Sequence, residues 1–478
     1  MNVAAANLLE TDVPARMDRL PWSMWHMRII TALGTSWILD GLEVTLVGSL
    51  SGILQSKDGL GLSDQAVASA ASTYLAGAVI GALLFGRLTD RYGRRKLFLI
   101  TLATYSLATI GSGLSFNAAM FFICRFFTGL GIGGEYAAIN SAVDELIPGK
   151  IRGTVDLLVN ATFWLGATLG SLAALFLMAG HAVPVHWGWR LAFTVGGTLG
   201  LAVLLLRLAV PESPRWLMLR GKEQEAQHIV GDIEAQVKSS HGSLPAVTGE
   251  KLKIRPRDHT PWRDIFKNML GENRQRSILG LSLMVGQAFF FNAIFFTFGL
   301  IAKKFYQVPD AQLPLQLLPF AVASFLGPIL LGPLFDRIGR KPMITVTYGS
   351  AGILLALTAV LFASGVLGLK GLIICFAVIF FIASSAASAA YLTVSEIFPL
   401  EIRAFAIAIF YAIGTSIGGV GAPALFGALV ASGSKQYIML GYLLGALLMI
   451  AGAVAEHLIG VEAAGKSLES VSKPLQSV

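Results

Sequence analysis

The sequence predicts an all-α membrane protein in which twelve transmembrane helices form two pseudo-symmetric six-helix bundles. Three observations carry that expectation. The 478 residues are 55% hydrophobic and only 13% charged, too little polarity for a soluble chain of this size to cover its surface. Apolar runs of about 20 residues, the length that crosses ~30 Å of hydrocarbon, recur along the whole chain. Two unrelated motifs each occur twice, in the same order and at nearly the same interval.

The twelve runs cover residues 29–54, 65–85, 97–114, 118–139, 155–178, 191–210, 278–301, 315–335, 343–363, 372–397, 405–430 and 437–458. They divide the chain into an N-terminal segment (1–28), a first bundle (29–210), a polar linker (211–276), a second bundle (277–459) and a C-terminal tail (460–478). The segment before Arg28 carries Glu10, Asp12 and Asp18 and lacks an apolar core, so neither a signal peptide nor a transit peptide is expected there. Within the linker, the charge-mixed amphipathic stretch 223–237 predicts a short surface helix.

Basic residues gather at Arg91, Arg94, Arg95 and Lys96, at Lys150 and Arg152, through the linker, and at Arg337, Arg340 and Lys341. The opposite loops hold few cations, namely Lys57, Lys303, Lys304, Lys370 and Lys435. The positive-inside rule therefore places the basic loops, the linker and both termini in the cytoplasm, and short loops suggest a bacterial inner (plasma) membrane. The net charge of +8 is then a topology signal, and nucleic acid is not an expected partner. Cys124 and Cys375 fall inside apolar runs and read as small core hydrophobes. His181, His186, His228, His241 and His259 lie in loops or the linker, and no metal or cofactor is expected. The run of glycines from Gly129 to Gly134 lies inside an apolar helix, not a phosphate loop, and no nucleophile and base share a useful spacing, so an enzyme is not expected.

Segment 86–96 (GRLTDRYGRRK), after the second run, returns as 332–341 (GPLFDRIGRK) after the eighth. Segment 144–153 (DELIPGKIRG), after the fourth run, returns as 395–404 (SEIFPLEIRA) after the tenth. A six-helix duplication follows. Gly129, Gly131, Gly133 and Gly134, and in the second half Gly414, Gly418, Gly419 and Gly421, lie inside the runs and predict close helix contacts.

The loop from Gly86 to Arg95 resembles the signature of the major facilitator superfamily. Segment 211–217 (PESPRWL) after the sixth run, with the Glu-x-x-Pro-x-x-x-Arg elements above, resembles the branch of sugar porters and organic ion transporters. In the first run, segment 40–44 (DGLEV) resembles the synaptic vesicle glycoprotein 2 group and related bacterial carriers. The resemblance implies alternating-access transport of a small solute. It departs from sugar porters where Gly286 precedes Gln287, where Phe296 and Thr297 replace a tyrosine pair, where Tyr391 replaces a tryptophan, and where Thr168 stands for a glutamine, which puts a hexose substrate in doubt.

Asp40 and Glu43 share a face of the first run, and a lipid-facing carboxylate there would cost several kcal/mol. Arg125 lies in the fourth run and needs an anionic partner. At ~1.5 Å per residue, Asp40 lies about 16 Å above the cytosolic end and Arg125 about 12 Å below the external end, so their depths nearly coincide in a ~30 Å core. Asp40 with Arg125 is the expected proton-coupling pair, a role the sugar-porter resemblance also implies, and Glu135, about 15 Å nearer the cytosol, is a second-rank partner. The alternative is a permanent structural ion pair. Asp90, Arg94, Glu145 and Arg152, with Asp336, Arg340, Glu396 and Arg403, are expected to form a cytoplasmic latch, or else only to signal topology.

The solute is expected between the halves, lined by the first, fourth, seventh and tenth runs. Gln287, Asn292 and Tyr391 lead the candidates, followed by Trp37, Asn140, Asn160, Trp164 and Tyr411, each of which also has a plain packing reading. Phe289, Phe290, Phe291, Phe295, Phe296 and Phe298 supply either stacking for a cyclic solute or ordinary lipid and core contacts. The expected function is proton-coupled symport of a small polar metabolite, such as a sugar, polyol, organic acid or vitamin-like carboxylate, by a monomer whose partners are solute, proton and lipid bilayer. A uniporter or exchanger of the same fold, or a transporter-like receptor without flux, remain alternatives.

Overall fold

The computed structural model describes residues 8–477 apart from 57–58, 179–183, 249–250, 296 and 310–311. Lys57, His181 and Phe296 lie outside the described residues, as does the side chain of His186.

Twelve helical spans follow one another where apolar runs are expected. The first half contains Met24–Ser49, Asp64–Tyr92, Arg94–Gly113, Ala118–Leu146, Arg152–Met178 and Val185–Arg207. The second contains Arg274–Phe295 continued by Phe298–Tyr306, then Leu313–Arg337, Arg340–Ala363, Leu369–Ile397, Arg403–Gly414 continued through Ala422–Ala431, and Lys435–Ile459. Ten of these spans are long and apolar enough to cross a membrane by length and composition among the described residues. The first, with Asp40 and Glu43 buried inside it, and the third, which opens on Arg94, Arg95 and Lys96, complete the set.

Most spans extend several residues beyond the apolar runs on the face that carries the repeated basic loops, hereafter the basic-loop face. There, polar residues continue the helices and cap each other. The expected first run, 29–54, is two helices, Met24–Ser49 and Ser51–Gln55. The expected seventh run is also interrupted, and the eleventh contains a π-helical segment, Thr415–Gly421, rich in glycine. Such irregular turns are tolerated at membrane depth where neighbouring helices bury them.

Local chemistry sets the boundaries. The side chain of Ser63 accepts the Ala66 amide at 3.2 Å to start the second span, and Asn117 accepts the Met120 amide at 2.8 Å to start the fourth. Gly93 and Gly339 join the second to the third and the eighth to the ninth spans at φ of 99° and 118°, a region L side chains avoid. A Cβ at either glycine would also strike a carboxylate, that of Glu212 or of Glu462. The repeated loop therefore requires glycine twice over.

Within each half, small residues set the helix spacing. Gly77 and Gly81 of the second span and Gly129 and Gly133 of the fourth lie against each other's helix backbone, so that a Cβ on Gly133 would overlap the carbonyl of Ala78. Gly131 faces the third span at Thr101 and Tyr105, and Gly418 packs on Ala288 of the seventh. Gly421 meets nothing within 4 Å and has no such packing role.

The segments outside the spans fold together on the basic-loop face. Leu9–Thr11 pairs antiparallel with Leu252–Ile254 of the linker, and Ser477 bridges to Ile254. The expected linker helix appears as Glu223–His241, with Ala226, Val230, Ile233 and Val237 buried. Arg215 bonds Asp18 at 2.8 Å and Glu469 at 2.5 Å, tying N-terminal segment, linker and C-terminal segment at one point. Burial pushes the Glu469 carboxyl up, but the Arg215 guanidinium outweighs it and holds Glu469 below its ordinary range.

Gly133→Val should disrupt the first bundle, because overpacking against backbone costs about 1–3 kcal/mol or more and the atoms it would strike, those of Ala78, are backbone that cannot yield. Size-exclusion chromatography in detergent should show loss of the monodisperse protein, whereas Gly421→Val should elute like the parent.

Candidate solute cavity and buried charge network

A cavity of about 220 Å³ lies between the two halves. It is smaller than the ~300–1,000 Å³ typical of drug-sized sites, which suits a one-ring metabolite. Of the expected residues, Trp37, Asn160, Trp164, Gln287, Asn292, Tyr391 and Tyr411 line it. Asn140 does not: it is buried behind Asn160, whose amide nitrogen donates to the Asn140 side-chain oxygen at 3.1 Å.

The walls are aromatic. Trp37 stacks on Tyr136 with ring centroids 4.6 Å apart and planes inclined by 6°, and meets Tyr391 of the second half edge-on at 6.3 Å. Tyr136 meets Tyr411 at 5.0 Å. Trp164 meets Phe291 at 5.4 Å and Phe295 at 5.3 Å. Both aromatic clusters thus join first-half to second-half side chains across the cavity. The phenylalanine run of the seventh span divides: Phe291 and Phe295 line the cavity, while Phe289, Phe290 and Phe298 are buried in the second bundle instead of facing lipid.

Polar groups at the cavity are few. The side-chain nitrogen of Asn292 donates to the Ala288 carbonyl at 2.7 Å, leaving its oxygen to the cavity. Among the described residues Gln287 makes one long contact, to the Met284 sulfur at 4.0 Å, and its side chain lines the cavity. Tyr74, Tyr136, Ser384, Ser388 and Thr415 also line the space and were not anticipated. The fifth span lines it through Asn160, Phe163, Trp164 and Ala167, not Thr168, whose hydroxyl donates to the Trp164 carbonyl at 2.9 Å.

The intramembrane charges pair differently from the expectation. Arg125 binds Glu43, not Asp40, and the Arg125 guanidinium also lies over the Tyr74 ring, 4.8 Å from its centroid. Glu135 is not a partner of Arg125 either; it binds Arg207 near the end of the sixth span. Glu43 is one turn, ~4.5 Å, further along the first span than Asp40, which brings it to the guanidinium, and Arg207 occupies the level of Glu135. Asp40 is left fully buried, with neither carboxylate oxygen hydrogen-bonded among the described residues. It lies within electrostatic reach of Glu135, Arg207 and Glu43, and of the cavity-lining Tyr74 and Tyr136. Its helix neighbours Trp37 and Val44 both line the cavity.

On the basic-loop face all eight expected latch residues meet. The Asp90 carboxylate accepts the backbone amides of Ala404 at 3.3 Å and Phe405 at 2.9 Å, at the start of the eleventh span. Asp336 does the same at the start of the fifth, accepting Gly153 at 3.1 Å and Thr154 at 2.7 Å. Each carboxylate therefore caps a helix of the opposite half, where amides and helix dipole both favour negative charge. Arg94 binds Glu145 at 2.7 Å, and Arg403 reaches Glu145 from the other half at 3.5 Å. Arg340 binds Glu396 at 3.1 Å, and Arg152 reaches Glu396 at 3.6 Å. The two halves are thus closed on each other at this face. Glu212 and Glu462, not anticipated, accept the Arg94 and Arg340 amides at 2.8 Å each, so they cap the third and ninth spans. Burial pushes the Glu212 carboxyl up, against the opposing pull of the Ser213 amide, the Arg94 guanidinium and the Arg94 amide.

The family profile described as "Sugar (and other) transporter" matches residues 29–474. The niacin transporter NiaP of Acinetobacter baylyi is 27% identical over 469 residues, covering 96% of this chain and 99% of that protein. The arabinose-proton symporter of Bacillus subtilis is 27% identical over 413 residues, covering 84% of this chain and 85% of that protein. Among solved structures, the proton:xylose symporter XylE bound to 6-bromo-6-deoxy-D-glucose superposes with a TM-score of 0.76 at 22% identity, covering 94% of this chain and 98% of that one. The chain therefore belongs to the sugar (and other) transporter family of the major facilitator superfamily: it is a multi-pass membrane transporter of metabolites and not an enzyme.

Proposed function

We propose that this protein is a proton-coupled symporter for a compact, one-ring metabolite with a carboxylate or amide end. The observation that carries the reading is the fully buried Asp40, without a hydrogen-bond or ion-pair partner among the described residues, on the same helix as the cavity-lining Trp37 and Val44, while Glu43 and Glu135 each hold an arginine. A carboxylate without partner at this depth costs several kcal/mol while charged, and binding a proton removes that cost.

The cavity supports the solute class. Rings from both halves offer faces for stacking, Gln287, Asn160 and Asn292 offer amides, and Ser384 and Ser388 offer hydroxyls. The cavity lining contains no Lys or Arg among the described residues, so a carboxylate solute is accommodated best when the proton taken up with it offsets its charge. The name of NiaP, a niacin transporter, agrees with a flat heteroaromatic acid, and that of the arabinose-proton symporter agrees with coupling.

Alternating access then follows. With the basic loops closed, solute and proton enter from the opposite side, the aromatic clusters close over the solute, and neutral Asp40 loosens the first span from its charged neighbours. The latch of Asp90, Arg94, Glu145 and Arg152 with Asp336, Arg340, Glu396 and Arg403 opens in exchange. By the positive-inside rule, its basic residues support a cytoplasmic position for it, the linker and both termini, in an inner (plasma) membrane.

Uptake into proteoliposomes of nicotinate, muconate, pentoses and hexoses, with and without an inward proton gradient, tests this directly. Gradient-driven accumulation of a ring acid is expected; equilibration without accumulation would make the protein a uniporter, and saturable binding without flux a receptor. Asp40→Asn should keep solute exchange but lower gradient-driven accumulation at least tenfold, and retained accumulation would remove Asp40 from the coupling.

Truncating Trp164 or Gln287 to alanine should raise the solute KM about tenfold, equivalent to ~1.4 kcal/mol of binding, without abolishing turnover. Asp90→Ala or Glu145→Ala should shift the resting population toward the inward-open form, because a latch stabilises only the state in which it is closed. Labelling of single cysteines on the cytoplasmic cavity wall should accelerate, and unchanged labelling would exclude the latch role.

A further inference from the structure

The eight latch residues repeated between the halves are electrically balanced, with four carboxylates, Asp90, Glu145, Asp336 and Glu396, against four arginines, Arg94, Arg152, Arg340 and Arg403. Two further acids, Asp144 and Asp156, are buried beside them, both 0% exposed. The internal duplication supplies no counterpart: aligning Glu145 with Glu396 and Arg152 with Arg403 sets Asp144 against Ser395 and Asp156 against Ile407. They are charges added to one half alone.

Their surroundings do not compensate them. Asp144 accepts the Ser395 hydroxyl across the interface between the halves, while its Oδ1 has no hydrogen-bond partner among the described residues. Asp156 accepts the Asn160 side-chain nitrogen through Oδ2 at 3.2 Å, and its Oδ1 likewise has no partner. The charged groups facing Asp156 are Asp144, Glu396, Arg340 and Arg152; those facing Asp144 are Glu396, Arg152 and Arg403, with Asp156 itself. Arg152 and Arg340 meet Glu396, and Arg403 reaches Glu145 at 3.5 Å with its Nε and Nη1 making no hydrogen bond among the described residues; none of the three forms an ion pair with Asp144 or Asp156 there.

We infer that Asp144 and Asp156 form a second proton-binding site, separate from Asp40, that holds protons while the cytoplasmic latch is closed and releases them when it opens. Two uncompensated carboxylates in a water-excluded network are neutralised by binding protons, and each orphaned oxygen supplies a place for one. Opening parts Asp144 from Ser395 and admits water, which solvates the ionised carboxylates. The closed state binds more protons than the open state, so rising pH favours opening. Asn160 connects this site to the solute, since one face of it lines the cavity and its amide donates to Asp156. A solute that draws the Asn160 amide toward itself leaves Asp156 without its one side-chain donor, linking cavity occupancy to latch protonation. The inference rests on the alternating-access reading above but not on Asp40 being the coupling group.

The test is the separation of the two halves at the cytoplasmic face as a function of pH. Spin labels on Tyr92→Cys and Ile338→Cys, exposed and equivalent in the two halves, with Cys124→Ser and Cys375→Ser, report that distance by pulsed EPR of the full-length protein in lipid nanodiscs. Between pH 5 and 9 the closed-to-open ratio should fall by up to tenfold per pH unit for each proton released. The dependence should persist with Asp40→Asn and Glu43→Gln, and should flatten with Asp156→Asn or with Asp144→Ser, which copies the other half. A separation that does not change with pH overturns the site, as does a profile abolished by the Asp40→Asn and Glu43→Gln pair or unchanged by both latch-site variants. A shift produced by Na+ at fixed pH, in place of pH, would overturn the proton as the ligand. Loss of gradient-driven uptake with the EPR profile intact would instead count against the symport reading alone.

Discussion

Buried charge must be compensated, and the way this chain does so organises the molecule. Asp90 and Asp336 each seat a carboxylate on the first turn of a helix that belongs to the other half. A backbone amide at a helix start is a fixed donor that cannot rotate away, so these two contacts define where the halves meet and in which register. Glu212 and Glu462 repeat the device one helix further on, within each half. The glycines at 93 and 339 follow from it, because any side chain there would displace the capping carboxylate. The conserved look of the repeated loop is thus the shape of a cap, stated twice.

The same economy separates the ends of the transporter. Near the basic-loop face, charge is abundant and mostly paired; further into the first half, three carboxylates and two arginines are buried among the described residues, Asp40, Glu43 and Glu135 with Arg125 and Arg207. Two of these acids are held by an arginine through one oxygen each, and Asp40 has no ion-pair partner among the described residues. Breaking either pair would strand a charge at a cost of several kcal/mol, whereas Asp40 has no such partner to lose among the described residues. Small residues set the spacing of the surrounding helices: Gly77, Gly81, Gly129 and Gly133 keep the second and fourth spans in backbone contact, with the Phe85 ring seated on Gly134.

Much of this was legible in the sequence because it depends on composition and repetition. Hydropathy located every span, and the duplicated motifs identified all eight residues that meet at the latch. The partners of Arg125 and Glu135 were not legible. Rise per residue fixes height along a helix but neither its tilt nor the direction a side chain faces, and Glu43 lies only ~4.5 Å from Asp40 in height. Arg207 near the end of its run carries no mark distinguishing a buried cation from an interfacial one. Tyr74, Tyr136, Ser384 and Ser388 escaped for a related reason: hydroxyl-bearing residues recur throughout the spans, and only packing shows which of them face the cavity. Gln287 and Asn292 were found because the resemblance singled them out, and Trp37 and Trp164 because a large amphipathic ring in mid-span is rare enough to stand out.

The arrangement also explains how a cavity with so few polar groups can command the whole molecule. Trp37 belongs to the first half and Tyr391 and Tyr411 to the second, so the rings that enclose the solute are also contacts between the halves. A solute that improves those contacts stabilises closure on its own side of the membrane. It can shift the equilibrium only by its differential affinity for the two states, a few kcal/mol for a ligand of this size. Under the proposed alternating access, the contacts at the basic-loop face have to be close to balanced, strong enough to stay shut around an empty cavity and weak enough to yield to that small increment. Many partial contacts of 3.3–3.6 Å between the halves, as at Arg94, Arg152 and Arg403, suit this better than one tight ion pair would.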